Sequence, residues 1–120
     1  MSADANGHLV HTNHYACERM ERFEGDPRYA EHSRVRAGRA AALLASAEPG
    51  TINAERMRSF LADHANEADA ICRHPERTGG AVATVFWWVA DLTEMTVRFG
   101  RGNPCDSSEQ QHRFASVPAA

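Results

Sequence analysis

The sequence has no lysine: its 13 basic residues are all arginine, and with 16 acidic residues they give the 120-residue chain a formal net charge of -3. That balance offers no positive field to a phosphate backbone, so nucleic-acid binding is disfavoured. Long apolar runs are also missing. The longest, Ala81 to Ala90, is too short to span a bilayer and is broken by Thr84. Met1 to Gly7 is polar and lacks the basic-then-apolar layout of a secretory signal. A cytoplasmic protein with no membrane partner is therefore expected. Cysteine is scarce and odd in number, with Cys17, Cys72 and Cys105 forming no C-x-x-C pair, so reduced thiols are expected and not a disulfide framework. No glycine precedes any of the three.

What remains, 42% hydrophobic and 24% charged with 8 Gly and 5 Pro, suits one small globular unit long enough to bury a core. Asn6-Gly7 followed by His8 to Thr12 reads as a turn entering a short strand. Tyr15 to Glu31 is charged and aperiodic, with Gly25-Asp26-Pro27 as a turn signal, and predicts an irregular surface connection. Ser33 is placed to cap a helix running to about Ala47, with Ala40, Leu43, Leu44 and Ala47 inward and Arg34, Arg36 and Arg39 outward. Pro49-Gly50 ends it. Asn53 then caps a second helix whose buried stripe is Met57, Phe60, Leu61 and His64, with Ile52 as a hydrophobic staple on Met57. Val82 to Ala90 predicts a central strand covered on both faces, paired as a hairpin with Met95 to Phe99. The fold class is α+β, two helices packed on an antiparallel sheet. Residues 1–105 form the folded portion and 106–120 a weakly ordered C-terminal segment.

Three groups of residues can carry chemistry. His8, His11, His14 and Cys17 are four potential metal ligands spaced three apart. Such spacing converges on a helix, whereas Leu9 to Thr12 reads as extended and throws side chains to alternating faces, so no metal is expected there. Cys72, between Ile71 and Arg73-His74, is either a thiol activated by its neighbours or a small buried hydrophobe, and is read as the second. Arg73 suits bidentate recognition of a carboxylate, or a surface ion pair with Glu67 or Asp69. Asn13, at a strand end, is either a turn former or an amide aimed at a developing oxyanion, a role worth about 3 kcal/mol.

The segment Asn6 to His14 with its His11-Thr12-Asn13-His14 motif, then Ser33 and the arginine-bearing helix, Ile71-Cys72-Arg73, the strand Thr84 to Asp91, and Phe99-Gly100 through Asn103-Pro104-Cys105 together resemble the C-terminal part of the isopenicillin-N acyltransferase family. These are the acyl-coenzyme A:6-aminopenicillanic acid acyltransferases and related autoproteolytic cysteine hydrolases. The resemblance implies an N-terminal-nucleophile hydrolase fold, an αββα sandwich of two antiparallel sheets between helix layers. It also implies a precursor that cleaves itself at a Gly-Cys bond, freeing a cysteine whose own α-amino group acts as general base. By the same resemblance Asn13 is the oxyanion donor and Arg73 lies at the active-site entrance, where it contacts substrate. The chain has no Gly-Cys pair, so it is expected to be inactive alone and to need an N-terminal half or subunit carrying the nucleophile. A small-molecule acyl donor or amide is the implied substrate, acyl-coenzyme A among the candidates, and no cofactor is implied. The alternative is a non-enzymatic α+β module that binds metal through the His8 to Cys17 run.

Overall fold

A computed structural model describes residues 3–115. Its longest element, helix α2 (Pro27–Ala45), begins where the Asp26 carboxylate accepts a hydrogen bond from Arg28 N. Pro27 takes the first helical position, where a missing N–H is harmless. Gly25-Asp26-Pro27 is therefore a helix start and not the middle of an irregular connection. The helix begins six residues ahead of Ser33, which sits fully buried in its middle. The preceding stretch also carries one short helix, α1 (Glu18–Glu21). Helix α3 (Ala54–Leu61) starts at Asn53 as the sequence indicates, with Asn53 Oδ1 accepting from Arg56 N at 2.8 Å.

Three antiparallel strands, β1 (Phe86–Asp91), β2 (Thr96–Arg101) and β3 (Gln110–Arg113), lie in the order β1-β2-β3. The β1–β2 hairpin is the predicted one, in register Phe86↔Arg101 to Asp91↔Thr96. Two features differ from the sequence reading. β1 starts at Phe86, not Val82, and is an edge strand among the described residues. Its burial alternates, with Trp87 and Val89 inside and Phe86 and Trp88 more than half exposed. Consecutive aromatics mimic a doubly covered strand, but the period of two places them on opposite faces. The second difference is β3, which lies in the 106–120 segment and pairs with β2 from Thr96↔Arg113 to Phe99↔Gln110. Residues 116–120 lie outside the described residues.

The chain is α+β, with three helices and a three-stranded antiparallel sheet. Helix α3 packs on β1, and α2 packs on a single 3₁₀ turn, Glu67–Asp69. The buried apolar core is thin: Ala30, Ala47, Ala70, Cys72, Trp87 and Val89. Residues His8 to Thr12 join no ladder among the described residues. They are fastened to α2 by side chains instead, Thr12 Oγ1 donating to Ser33 O at 3.0 Å.

Candidate functional site

The middle of α2 presents Ala30, Ser33 and Arg36 on its buried side, at the three-residue spacing of one helix face. Onto that face folds the Thr12-Asn13-His14 segment. Ser33 Oγ accepts from His14 N at 2.9 Å and lies 2.9 Å from His14 Nδ1. It also donates to Thr12 Oγ1 at 2.9 Å. These bonds satisfy a hydroxyl with no solvent access and leave Asn13 poised beside Arg36. Arg36 Nη2 donates to Asn13 Oδ1 at 2.8 Å, and Nη1 donates to His32 O at 3.0 Å. A guanidinium can only donate, so it fixes which end of the Asn13 amide is carbonyl and turns the Nδ2 donors outward. Among the described residues, no acceptor takes them.

Arg36 also lines a cleft of about 370 Å³, with Arg28, Tyr29, Asp69, Arg73 and Val82 among its neighbours. Burial, and then the nearby Arg73 charge, hold Arg36 below the usual guanidinium value, although it stays a cation. No carboxylate pairs with it among the described residues. Arg73 is largely covered and braced: its Nε and Nη2 donate to Ala68 O at 3.1 and 3.0 Å, and Nη2 lies 3.8 Å from Asp69 Oδ1. Of the two readings the sequence offers for Arg73, the structure contains the ion pair with Asp69. Asp69 also meets His32 Nδ1 at 2.6 Å. Arg36 joins the two sequence-derived site residues, bonding Asn13 on one side and facing Arg73 across the cleft on the other.

Arg36 was missed in the sequence because a helix capped at Ser33 turns it outward. With Asp26-Pro27 read as the helix start, Ala30, Ser33 and Arg36 fall on one face. Arg39 is not free either, since its Nε and Nη2 donate to the two Asp63 carboxylate oxygens at 2.9 and 2.6 Å.

The His8 to Cys17 run does not converge: among the described residues it forms no group of metal-ligating atoms. His8 Nδ1 turns to Asp4 Oδ2 at 3.1 Å, while His14 turns to Ser33. The thiols that do meet are Cys72 and Cys105, with Sγ atoms 3.7 Å apart. Cys72 is completely buried, as the sequence reading favoured, and its Sγ also accepts from Asn103 Nδ2 at 3.3 Å. Burial, and then the neighbouring Cys72 thiol, push Cys105 up to about 11.

A family model described as acyl-coenzyme A:6-aminopenicillanic acid acyl-transferase matches residues 2–106. The chain belongs to this family. No curated protein matches it. The acyl-transferase match takes in Asn13, Ser33, Arg36, Arg73 and all three cysteines, and it stops short of β3. No helix among the described residues is long and apolar enough to cross a membrane.

Proposed function

We propose that this chain is the C-terminal portion of an autoproteolytic acyltransferase or amidohydrolase acting on amide C–N bonds, and that it furnishes the oxyanion donor and the substrate entrance. The nucleophile, a cysteine freed at a Gly-Cys bond, comes from an N-terminal half, carried on the same polypeptide or on a separate subunit. In this scheme the cysteine α-amine takes the thiol proton and Sγ attacks the substrate carbonyl. Asn13 Nδ2 then donates to the resulting oxyanion. As the C–N bond breaks, the leaving amine takes the proton back, and water or an acceptor amine releases the acyl group from sulfur. The observation that carries the reading is the Arg36–Asn13 bond, which preorganises an otherwise unengaged amide donor inside the family's motif. The cleft sets Arg28, Arg36 and Arg73 against Asp26 and Asp69 and suits an anionic substituent, such as a substrate carboxylate or the phosphates of acyl-coenzyme A. The N-terminal half would dock at the open edge of β1, where Phe86 and Trp88 are exposed.

The test is reconstitution. The 120-residue chain alone should turn over no member of a panel of acyl-coenzyme A and small amide substrates, and co-expression with a segment carrying the family's Gly-Cys site should restore activity. In the complex, Asn13→Ala should lower kcat about 100-fold with assembly intact, and Arg73→Ala should act mainly on KM. Turnover by the isolated chain that Cys17→Ala or Cys72→Ala abolishes would overturn the assignment of the nucleophile. An unchanged rate in the Asn13→Ala complex would remove Asn13 from the site.

A further inference from the structure

Four side chains from three separate stretches meet at one point. His64 follows α3, Cys72 and His74 flank Arg73, and Cys105 follows β2. Their ligand atoms, Nε2 of each histidine and Sγ of each cysteine, all lie within 4.8 Å of one another. We propose that His64, Cys72, His74 and Cys105 form a structural zinc site.

The distances are those of a coordination tetrahedron. With Zn–S about 2.3 Å and Zn–N about 2.0–2.1 Å, ideal edges are about 3.8 Å for S···S, about 3.6 Å for S···N and about 3.3 Å for N···N. The chain shows 3.7 Å between the two sulfurs. His74 Nε2 lies 3.7 Å from Cys72 Sγ, 3.3 Å from Cys105 Sγ and 3.0 Å from His64 Nε2. Hydrogen bonding accounts for this crowd only in part. A single imidazole nitrogen carries either one proton or one lone pair, yet His74 Nε2 has three polar neighbours. A cation at the centre satisfies all four atoms at once.

The surroundings match a ligand shell. Asn103 Nδ2 donates to Cys72 Sγ at 3.3 Å and to Arg73 O at 2.8 Å, the kind of bond that stabilises a thiolate and fixes its direction. His74 turns its other nitrogen, Nδ1, toward Glu76 Oε1 at 3.5 Å, which sets Nε2 as the ligating atom. Two thiolates with two imidazoles favour zinc over the oxygen-preferring cations, and four protein ligands leave no open position for catalysis. The role is therefore to clip together the end of α3, the segment before β1 and the loop after β2. A chain in which half of the six buried apolar residues are alanine gains much from such a staple.

The full 120-residue chain, made without a histidine tag and kept reduced, should carry one zinc per chain by elemental analysis. Zinc-edge X-ray absorption, which reads solution and precipitate alike, should show two sulfurs at about 2.3 Å and two nitrogens at about 2.0 Å. Co²⁺ exchanged into the site should give tetrahedral ligand-field bands with thiolate charge transfer. Cys72→Ser and the solvent-side Cys105→Ser should lose the metal, while His11→Ala and Cys17→Ser should keep it. Wild-type chain with only trace zinc and no cobalt charge transfer overturns the proposal. So does a Cys72–Cys105 disulfide that takes up no metal after reduction, or a metal lost with Cys17→Ser and retained with Cys72→Ser.

Discussion

Gly100 is the position where the structure leaves no room. It is the next-to-last residue of β2, opposite Trp87, and a Cβ built there would sit 2.5 Å from Trp87 Nε1, 2.9 Å from Trp87 Cε2 and 2.7 Å from Ser108 O. None of these atoms can step aside easily. Trp87 is 4% exposed, its Nε1 donates to Ser107 Oγ at 2.7 Å, and the Arg58 guanidinium covers its ring at 4.6 Å. Ser108 O belongs to the backbone of the loop that Arg58 also pins, through Pro104 O and Ser107 O. Gly100→Ala must therefore overpack the core, at about 1–3 kcal/mol. It must also displace the indole from Ser107, which adds about 1 kcal/mol. A total loss of about 2–4 kcal/mol is a large share of the roughly 5–15 kcal/mol that holds a typical domain together. Urea titration followed by tryptophan fluorescence reads it, since Trp87 reports the buried site and Trp88 gives a largely exposed background. Gly38→Ala is the paired control: that glycine is inside α2 with nothing within 4 Å of a new Cβ, and alanine there should add up to about 1 kcal/mol. A Gly100→Ala chain as stable as wild type, measured beside the expected Gly38→Ala gain, would refute the packing argument.

Two further outcomes follow. The Arg28 side chain, and then the Arg28 backbone N–H, hold the Asp26 carboxyl below its ordinary value, so its contribution to α2 is fully present above about pH 4 and is lost as pH falls through the depressed folded value. Asp26→Asn keeps an N-cap side chain and should flatten that acid limb of the helical circular-dichroism signal while changing little at pH 7; an unchanged limb would acquit Asp26. Association through the exposed face of β1 should weaken in a Phe86→Ser, Trp88→Ser double variant, seen in sedimentation as a shift toward monomer and in co-expression as loss of the N-terminal half, and equal association by both chains would exclude that face.

Legibility in the sequence followed the range of the interaction. The Asn53 cap and the β1–β2 hairpin rest on neighbours within a few residues, and both were readable. Asp26-Pro27 was equally local, but Gly25 before it made a turn look sufficient, and that one choice misplaced Ser33 and Arg36 together. Residue type and position raise Asn13 and Arg73 only as candidates beside a plainer turn or ion-pair reading, and it is the family motifs that tip each toward a site role. The bond that gives Asn13 its orientation spans 23 residues and leaves no periodic trace. The His64, Cys72, His74 and Cys105 constellation was missed for the same reason. Its members are spaced irregularly over three stretches, whereas the evenly spaced His8 to Cys17 run drew attention without converging.

The two sites meet at one short extended segment. Side chains alternate along such a backbone, so Cys72 and His74 turn toward the sulfur–imidazole cluster while Arg73 turns away into the cleft. The Arg73 backbone is then clasped on the far side, its N donating to Thr84 Oγ1 at 3.0 Å and its O accepting from Thr84 N at 2.9 Å and Asn103 Nδ2 at 2.8 Å. Asn103 thus touches both the cluster and the backbone that carries the cleft arginine. The proposed metal would fix the residues on either side of Arg73 and so where its guanidinium enters the cleft. Asn13 is held from the opposite direction, by Arg36 directly and through its neighbours Thr12 and His14 by Ser33, all from α2 and without a bond to any member of the cluster. If the proposed roles hold, loss of the proposed metal would unsettle substrate placement at Arg73 and leave the Asn13 amide where it is, so that binding would suffer before chemistry.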